Sequence, residues 1–326
     1  MLDVAVSQVT TPRWELHEEL RCLAGHGFAN LALGRPKLSD VGPMAAAAAL
    51  AAAGVRASSL ECAGGFTGGD GRSFAESVAD AVEAVEAAAI LGGAAPAAPP
   101  PALVLHSGCR GGHTRTHATR LLHDALASLL PIARREGVVL ALEPLRAAAA
   151  PGCSFLAGLD EALEVIDAHG DPALGIVLDL WHFGDDPDLE SRLPRLAAAV
   201  ALVQAADRCG PAAPGGDRLP VGHGTLPLER IVATLVQHGY RGGVELDPVG
   251  ETVELLGYDG VLRETRLVAD AWETRLDTAA GALVWTEPGH GGGPRRATQI
   301  PGHFRRAGSG AGSRRSQASS QAVSRG

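Results

Sequence analysis

Eight short apolar runs, each followed by a longer stretch of helical periodicity, recur along the first 276 residues of this 326-residue chain, and few architectures accept that pattern. The runs are Val4 to Val6, Phe28 to Leu33, Val55 to Leu60, Leu103 to Leu105, Val138 to Leu142, Gly175 to Leu178, Val200 to Val203 and Val244 to Leu246. Several are apolar without alternation, the pattern of strands buried on both faces by covering helices. The spacing predicts helices from about Trp14 to Gly25, Gly42 to Ala53, Ser73 to Leu91, Thr116 to Arg135, Asp160 to His169, Leu226 to His238 and Tyr258 to Leu276. Ser73, with Glu76 three residues on, has the form of a capping box. Strands alternating with helices eight times over describe a (β/α)8 TIM barrel. A doubly wound open sheet is the alternative, and the lack of Gly-x-Gly-x-x-Gly after the first strand counts against it.

The barrel is expected over residues 1–278, and 279–326, where periodicity gives way to Gly, Ser, Arg and Pro, reads as a disordered basic tail. The Ala/Pro run from Gly92 to Pro101 reads as an extended surface connection. Apolar residues make up 46% of the chain but aromatics only 4%, so the core must rest on Leu, Val and Ala. Net charge is −9, yet seven arginines after residue 286 face only Glu287, which leaves about −15 on the rest. An acidic body of this kind argues against phosphate-backbone binding, except through the tail. Five widely spaced cysteines without Cys-x-x-Cys read as reduced thiols of a cytoplasmic protein. The N-terminus lacks a basic, then apolar, leader, and no apolar run is long enough to cross a membrane.

Chemistry gathers where the later strands end: Glu143, Asp179, Gln204 and Asp247. In a barrel these ends share one mouth, and three carboxylates converging there repel one another unless a cation intervenes. Oxygen donors without thiolate suit Mn²⁺ or Mg²⁺ best, with Co²⁺ and Zn²⁺ also compatible. The plain reading of any one of them is structural, such as Asp179 capping the following helix. His106 ends the fourth strand and faces the same mouth if the register holds. His113, His117 and His123 fall in loop and helix surface and read as solvated.

Leu-Glu143-Pro, Leu-Asp179-x-x-His182, Val-Gln204-x-x-Asp207, Arg218-x-x-x-Gly222-x-Gly224 and Gly239-Tyr240-x-Gly242 followed by Asp247 stand in order along the chain. Over residues 2–277 the sequence thereby resembles the xylose isomerase-like TIM barrel family, the sugar phosphate isomerases and epimerases with their hydroxypyruvate isomerase, inosose dehydratase and endonuclease IV relatives. The resemblance implies that Glu143, Asp179, Gln204 and Asp247 hold a metal and that His182 and Arg218 contact substrate oxygens. Two positions depart from the pattern. Gln204 stands where the epimerases often carry His, and Asp247 where Glu is usual, so that Glu245, on the same strand face, is a competing ligand.

The implied reaction is isomerisation or epimerisation of a sugar, keto acid or polyol, in which Glu143 and Asp247 move protons next to a carbonyl and an enediolate forms. The shorter Asp247 favours a one-face isomerisation over a two-face epimerisation. An AP-endonuclease-like phosphodiesterase and a barrel that binds sugar without turnover are the alternatives, and a homo-oligomer is left open. Arg218 has a structural alternative as a partner of Asp217 or Asp207.

Overall fold

A computed structural model describes residues 3–93 and 100–284, with side chains to 276. The basic tail beyond 284 and most of the Ala/Pro connection therefore lie outside the described residues. Eight strands close a parallel barrel in sequence order: β1 (Val4–Ser7), β2 (Asn30–Gly34), β3 (Arg56–Gly64), β4 (Ala102–His106), β5 (Leu140–Glu143), β6 (Leu174–Asp179), β7 (Val200–Ala205) and β8 (Val244–Leu246). The outer layer comprises α1 (Leu16–Gly25), α2 (Arg35–Val41), α3 (Pro43–Ala53), α4 (Phe74–Gly92), α5 (Arg115–Glu136), α6 (Leu159–His169), α7 (Leu180–Phe183), α8 (Leu189–Leu196), α9 (Leu228–Gln237), α10 (Glu251–Leu256) and α11 (Tyr258–Val284). The closed barrel replaces the open-sheet alternative. Periodicity assigns no element to the residues of α2, and β3 runs four residues beyond the expected end at Leu60.

Strand alternation separates two cores. Outward positions such as Leu103, Leu105, Leu140, Leu142, Ile176 and Leu178 are buried under the helices with Leu122, Leu126 and Leu129 of α5. Ala81, Ala84 and Ala88 of α4 belong to the same core, and their small side chains let that helix approach closely. Inward positions form a second, smaller cluster of Val104, Ala141, Val177 and Leu202. Two residues further along the same strands, and so on the same inward face, stand His106, Glu143, Asp179 and Gln204. An apolar plug thus lies directly below a polar mouth.

Local chemistry fixes the helix ends. Ser73 and Glu76 form the expected capping box at α4, with Ser73 Oγ accepting from the Glu76 amide and Glu76 accepting from the Ser73 amide. After β1, Lys37, the chain's one lysine, donates to Thr11 O at 2.8 Å and to the buried Glu19 carboxylate at 3.1 Å, while Gln8 Oε1 accepts from Gly34 N at 2.8 Å. These bonds hold the loop that carries Val9 to the rim of the mouth.

One glycine matters for the mouth itself. Gly64 ends β3 at φ +131°, and a Cβ placed there would lie 1.9 Å from the His106 carbonyl oxygen. Only glycine lets β4 approach closely enough to pair Gly64 with His106. Gly64→Ala is expected to lose about 3 kcal/mol of unfolding free energy, read as a lower urea midpoint; an unchanged midpoint would show that β4 does not need this approach.

Candidate functional site

At the C-terminal end of the barrel a cavity of about 210 Å³ is lined by Glu61, Cys62, His106, Glu143, Asp179, His182, Gln204, Arg218 and Asp247 under a rim of Val9, Leu145 and Val249. Register explains the convergence: His106 pairs with Glu143, and Asp179 with Gln204, across neighbouring strands. All seven residues singled out from the sequence come together here. Glu143, Asp179, Gln204, Asp247 and His182 are buried.

Asp179 divides its two oxygens. Oδ1 accepts from the Trp181 and His182 amides at 2.8 and 3.3 Å and so caps α7, while Oδ2 faces the mouth and accepts from Arg218 Nη2 at 3.0 Å. The capping role and the mouth role coexist in one carboxylate. The same Arg218 Nη2 also donates to Asp247 Oδ2, so a single nitrogen bridges carboxylates from β6 and from the end of β8. Asp217 and Asp207, the partners weighed from sequence, are engaged elsewhere.

Asp207 instead organises the loop that delivers Arg218. Its Oδ1 accepts from the Arg208 and Leu226 amides at 2.9 and 3.0 Å, and its Oδ2 from the Gly222 amide at 3.1 Å. Gly224 packs so close that a Cβ there would lie 2.3 Å from Asp207 Oδ1. Arg218 is then clamped to the end of β8 by paired backbone bonds with Val249, both 2.9 Å. The spacing from Gln204 through Asp207 and Arg218 to Gly224 is the length this loop needs.

His106 Nε2 lies 2.6 Å from Glu143 Oε2, and its Nδ1 lies 3.6 Å from Cys62 Sγ. Burial opposes the imidazolium, but the Glu143 carboxylate and the Cys62 sulfur outweigh it and hold the His106 pKa well above its usual range. For His182 burial dominates, over the opposing Asp179 charge, and lowers its pKa.

Two carboxylates need separate description. Glu245 is fully buried one layer below Asp247, in register with Gln204, and accepts from Ser58 Oγ at 2.7 Å. The cavity is lined by Asp247 and not by Glu245. Glu61 was missed from the sequence because β3 was ended at Leu60. The β3–β4 register shifts between Leu60 and Ala63, and this irregularity turns Glu61 and Cys62 into the mouth. Gln204 Nε2 donates to Glu61 Oε1 at 2.8 Å. The available signal was a fourth strand run ending in an acid, Leu60-Glu61, obscured by the Cys-Ala-Gly-Gly that follows.

The cluster is short of positive charge. Four carboxyl groups in the cavity, with Glu245 below them, stand against Arg218 and His106, and burial with mutual repulsion pushes Asp247 and Glu245 each up to about 7 and Glu61 well above the usual carboxylate range. Asp247 Oδ1 is buried without a hydrogen-bond partner. With its Nε2 given to Glu61, Gln204 keeps an amide oxygen as a further donor atom. Among the described residues no three His, Cys, Asp or Glu side chains stand ready as a metal cage, and Arg218 Nη2 bridges two of the oxygens such a cage would use. The donor set, all oxygen and deficient in positive charge, fits a hard divalent ion once that bridge opens. Of the remaining histidines, His123 on α5 stacks against His169 on α6, with ring nitrogens 2.9 Å apart, where a solvated side chain was expected.

A family model described as xylose isomerase-like TIM barrel matches residues 20–265. A solved structure of a protein from Sinorhizobium meliloti 1021 superposes at TM-score 0.71 and 25% identity, over 81% of this chain and 96% of its own. The IolI protein with a bound zinc atom superposes at 0.71 and 18% identity, over 84% and 99%. An L-ribulose 3-epimerase does so at 0.68 and 16% identity, over 88% and 100%. At such identities the last two show a common fold. No curated protein sequence matches the chain, and no helix among the described residues is long and apolar enough to cross a membrane.

The raised carboxyls set the sign of a pH effect. In the unfolded chain these groups lose their protons near pH 4, whereas the fold holds them to about pH 7 for Asp247 and Glu245. Between those limits the native state binds more protons, so metal-free stability should fall as pH rises, by on the order of 2 kcal/mol between about pH 4 and 7. The lowered His182 works against this slope. Urea unfolding across that range should show the fall, flattened in Glu245→Gln; stability rising with pH would contradict the assignment.

Proposed function

The chain belongs to the xylose isomerase-like TIM barrel family, and from that premise we propose that it is a divalent-metal-dependent isomerase or epimerase of a small sugar, keto acid or polyol. The observation that carries this reading is the ring of buried Glu143, Asp179 and Asp247 with Gln204 around one small cavity. Structural neighbours include an L-ribulose 3-epimerase and a D-allulose 3-epimerase. A volume of about 210 Å³ admits a ligand of a few carbons and is smaller than a drug-sized pocket.

Glu143, Asp179, Gln204 and Asp247 would hold the metal, with Mn²⁺ or Mg²⁺ the best match to oxygen donors. A bound divalent ion supplies Lewis acidity, polarising a substrate carbonyl and acidifying the adjacent C–H. Glu143, oriented by His106 at 2.6 Å, takes the proton from that carbon and returns it to the neighbouring one. His182 and Arg218 orient substrate hydroxyls, and Val9, Leu145 and Val249 shed water from the rim. Asp247 stands on another side of the mouth, just past the end of β8, and would act as the second acid or base. Its shorter side chain favours a 1,2-isomerisation on one face over an epimerisation that needs both.

The reading is tested by solvent deuterium incorporation into a panel of ketoses, inososes and hydroxypyruvate with Mn²⁺ supplied. Exchange should require the metal and drop by about 10²- to 10⁴-fold in Glu143→Gln. Exchange indifferent to both chelator and substitution would reject it, and metal-dependent ligand binding without exchange on any compound would mark a sugar-binding barrel instead.

A further inference from the structure

We propose that Arg218 is the resident counter-ion of this site, bridging Asp179 and Asp247 in the metal-free protein and leaving them when a divalent cation binds; this rests on the metal site proposed above. Three features set Arg218 apart from an ordinary buried ion pair. Its guanidinium engages both carboxylates through the one nitrogen, Nη2. Its Nε is buried without a hydrogen-bond partner, so the carboxylate bonds of the head run through Nη2 alone. Its backbone, by contrast, is clamped to Val249 on both sides.

The result is a fixed base carrying a charge held by the two carboxylates it neutralises and by the face of the Trp181 ring. Asp247 matches this arrangement: Oδ2 accepts from Arg218, while Oδ1 is buried and unpartnered. An oxygen in that condition is one that a second cation would satisfy. A divalent ion held by Asp179, Asp247, Glu143 and Gln204 would compete with Nη2 for Asp179 Oδ2 and for the Asp247 carboxylate, and two cations on one pair of carboxylates repel. The guanidinium head lies 5.1 Å above the Trp181 ring. Withdrawal from the carboxylates therefore changes the surroundings of an indole, and the freed donor becomes available to a substrate oxygen next to the metal. On this account the arginine prevents the buried acids from standing uncompensated before loading and becomes a substrate contact after it.

Mg²⁺ titration of the full chain separates the possibilities, because Mg²⁺ does not itself quench tryptophan. Binding is followed by calorimetry and by the emission that Trp181→Phe removes. Wild type should show a Trp181 emission step that saturates with binding. Arg218→Met should bind Mg²⁺ about tenfold tighter or more, without that step, having no charge to displace; Arg218→Lys, which keeps the charge, should stay near wild type. Should Arg218→Met fail to fold, the wild-type emission step and the Arg218→Lys affinity still decide. Affinity equal in wild type and Arg218→Met, or wild-type binding with unchanged Trp181 emission, would overturn the exchange while leaving the metal site standing. No Mg²⁺ or Mn²⁺ binding by any of the three proteins would overturn the metal site, and the exchange with it.

Discussion

Buried carboxylates that lack enough positive charge govern the mouth of this barrel. Glu61, Glu143, Asp179, Glu245 and Asp247 lie on or just below the inner face of one ring of strands, with Arg218 and His106 as the neighbouring cations. Desolvating a charge is costly unless it is paired, so every element around the mouth can be understood by how it limits that cost. Helix α7 gives its first amides to Asp179. The β7–α9 loop exists in its observed form to bring in a guanidinium. The bulge in β3 lets Gln204 share its amide with Glu61. The aliphatic layer below keeps the whole set apart from the barrel floor.

The barrel was legible because its strands are apolar runs of the right length with helical segments between them, and because its capping box at Ser73 is a local signal. Four acidic or amide strand ends were legible for the same reason: three close an uninterrupted apolar run, and Asp247 closes Val244-Glu245-Leu246. Glu61 was not, because an irregular register between Leu60 and Ala63 breaks the two-residue period on which strand reading depends. The short helix Arg35–Val41 was also hidden, its Pro and Lys resembling a loop. Sequence could not choose between Glu245 and Asp247 either, since both share a face. What distinguishes them is depth, which comes from the relative stagger of β7 and β8.

Pairwise charge contacts escape sequence for a different reason. Arg218 lies 39 residues from one of its partners and 29 from the other, and the nearer acids, Asp207 and Asp217, were only the structural alternative to a substrate contact. Both are already committed to backbone amides: Asp207 to those of Arg208, Gly222 and Leu226, Asp217 to that of Thr252. Asp207 spends both oxygens on that loop, whereas Asp217 accepts from Thr252 through Oδ2 and keeps a buried Oδ1 that makes no bond to Arg218.

That loop separates two jobs along its length. Asp207 pairs with Leu219 and Arg218 with Val249, so the excursion between them is tied off at its base. From Cys209 to Gly216 the backbone runs over the surface, mostly exposed, beside the ring of Trp181, whose indole donates to the Asp217 carbonyl at 3.1 Å. Extending such a closed excursion carries only a slow logarithmic entropy penalty. The fold therefore has a stretch that tolerates new surface beside the mouth without disturbing the buried carboxylates. Freely variable surface and the anchors that deliver Arg218 are, in this chain, residues less than ten positions apart.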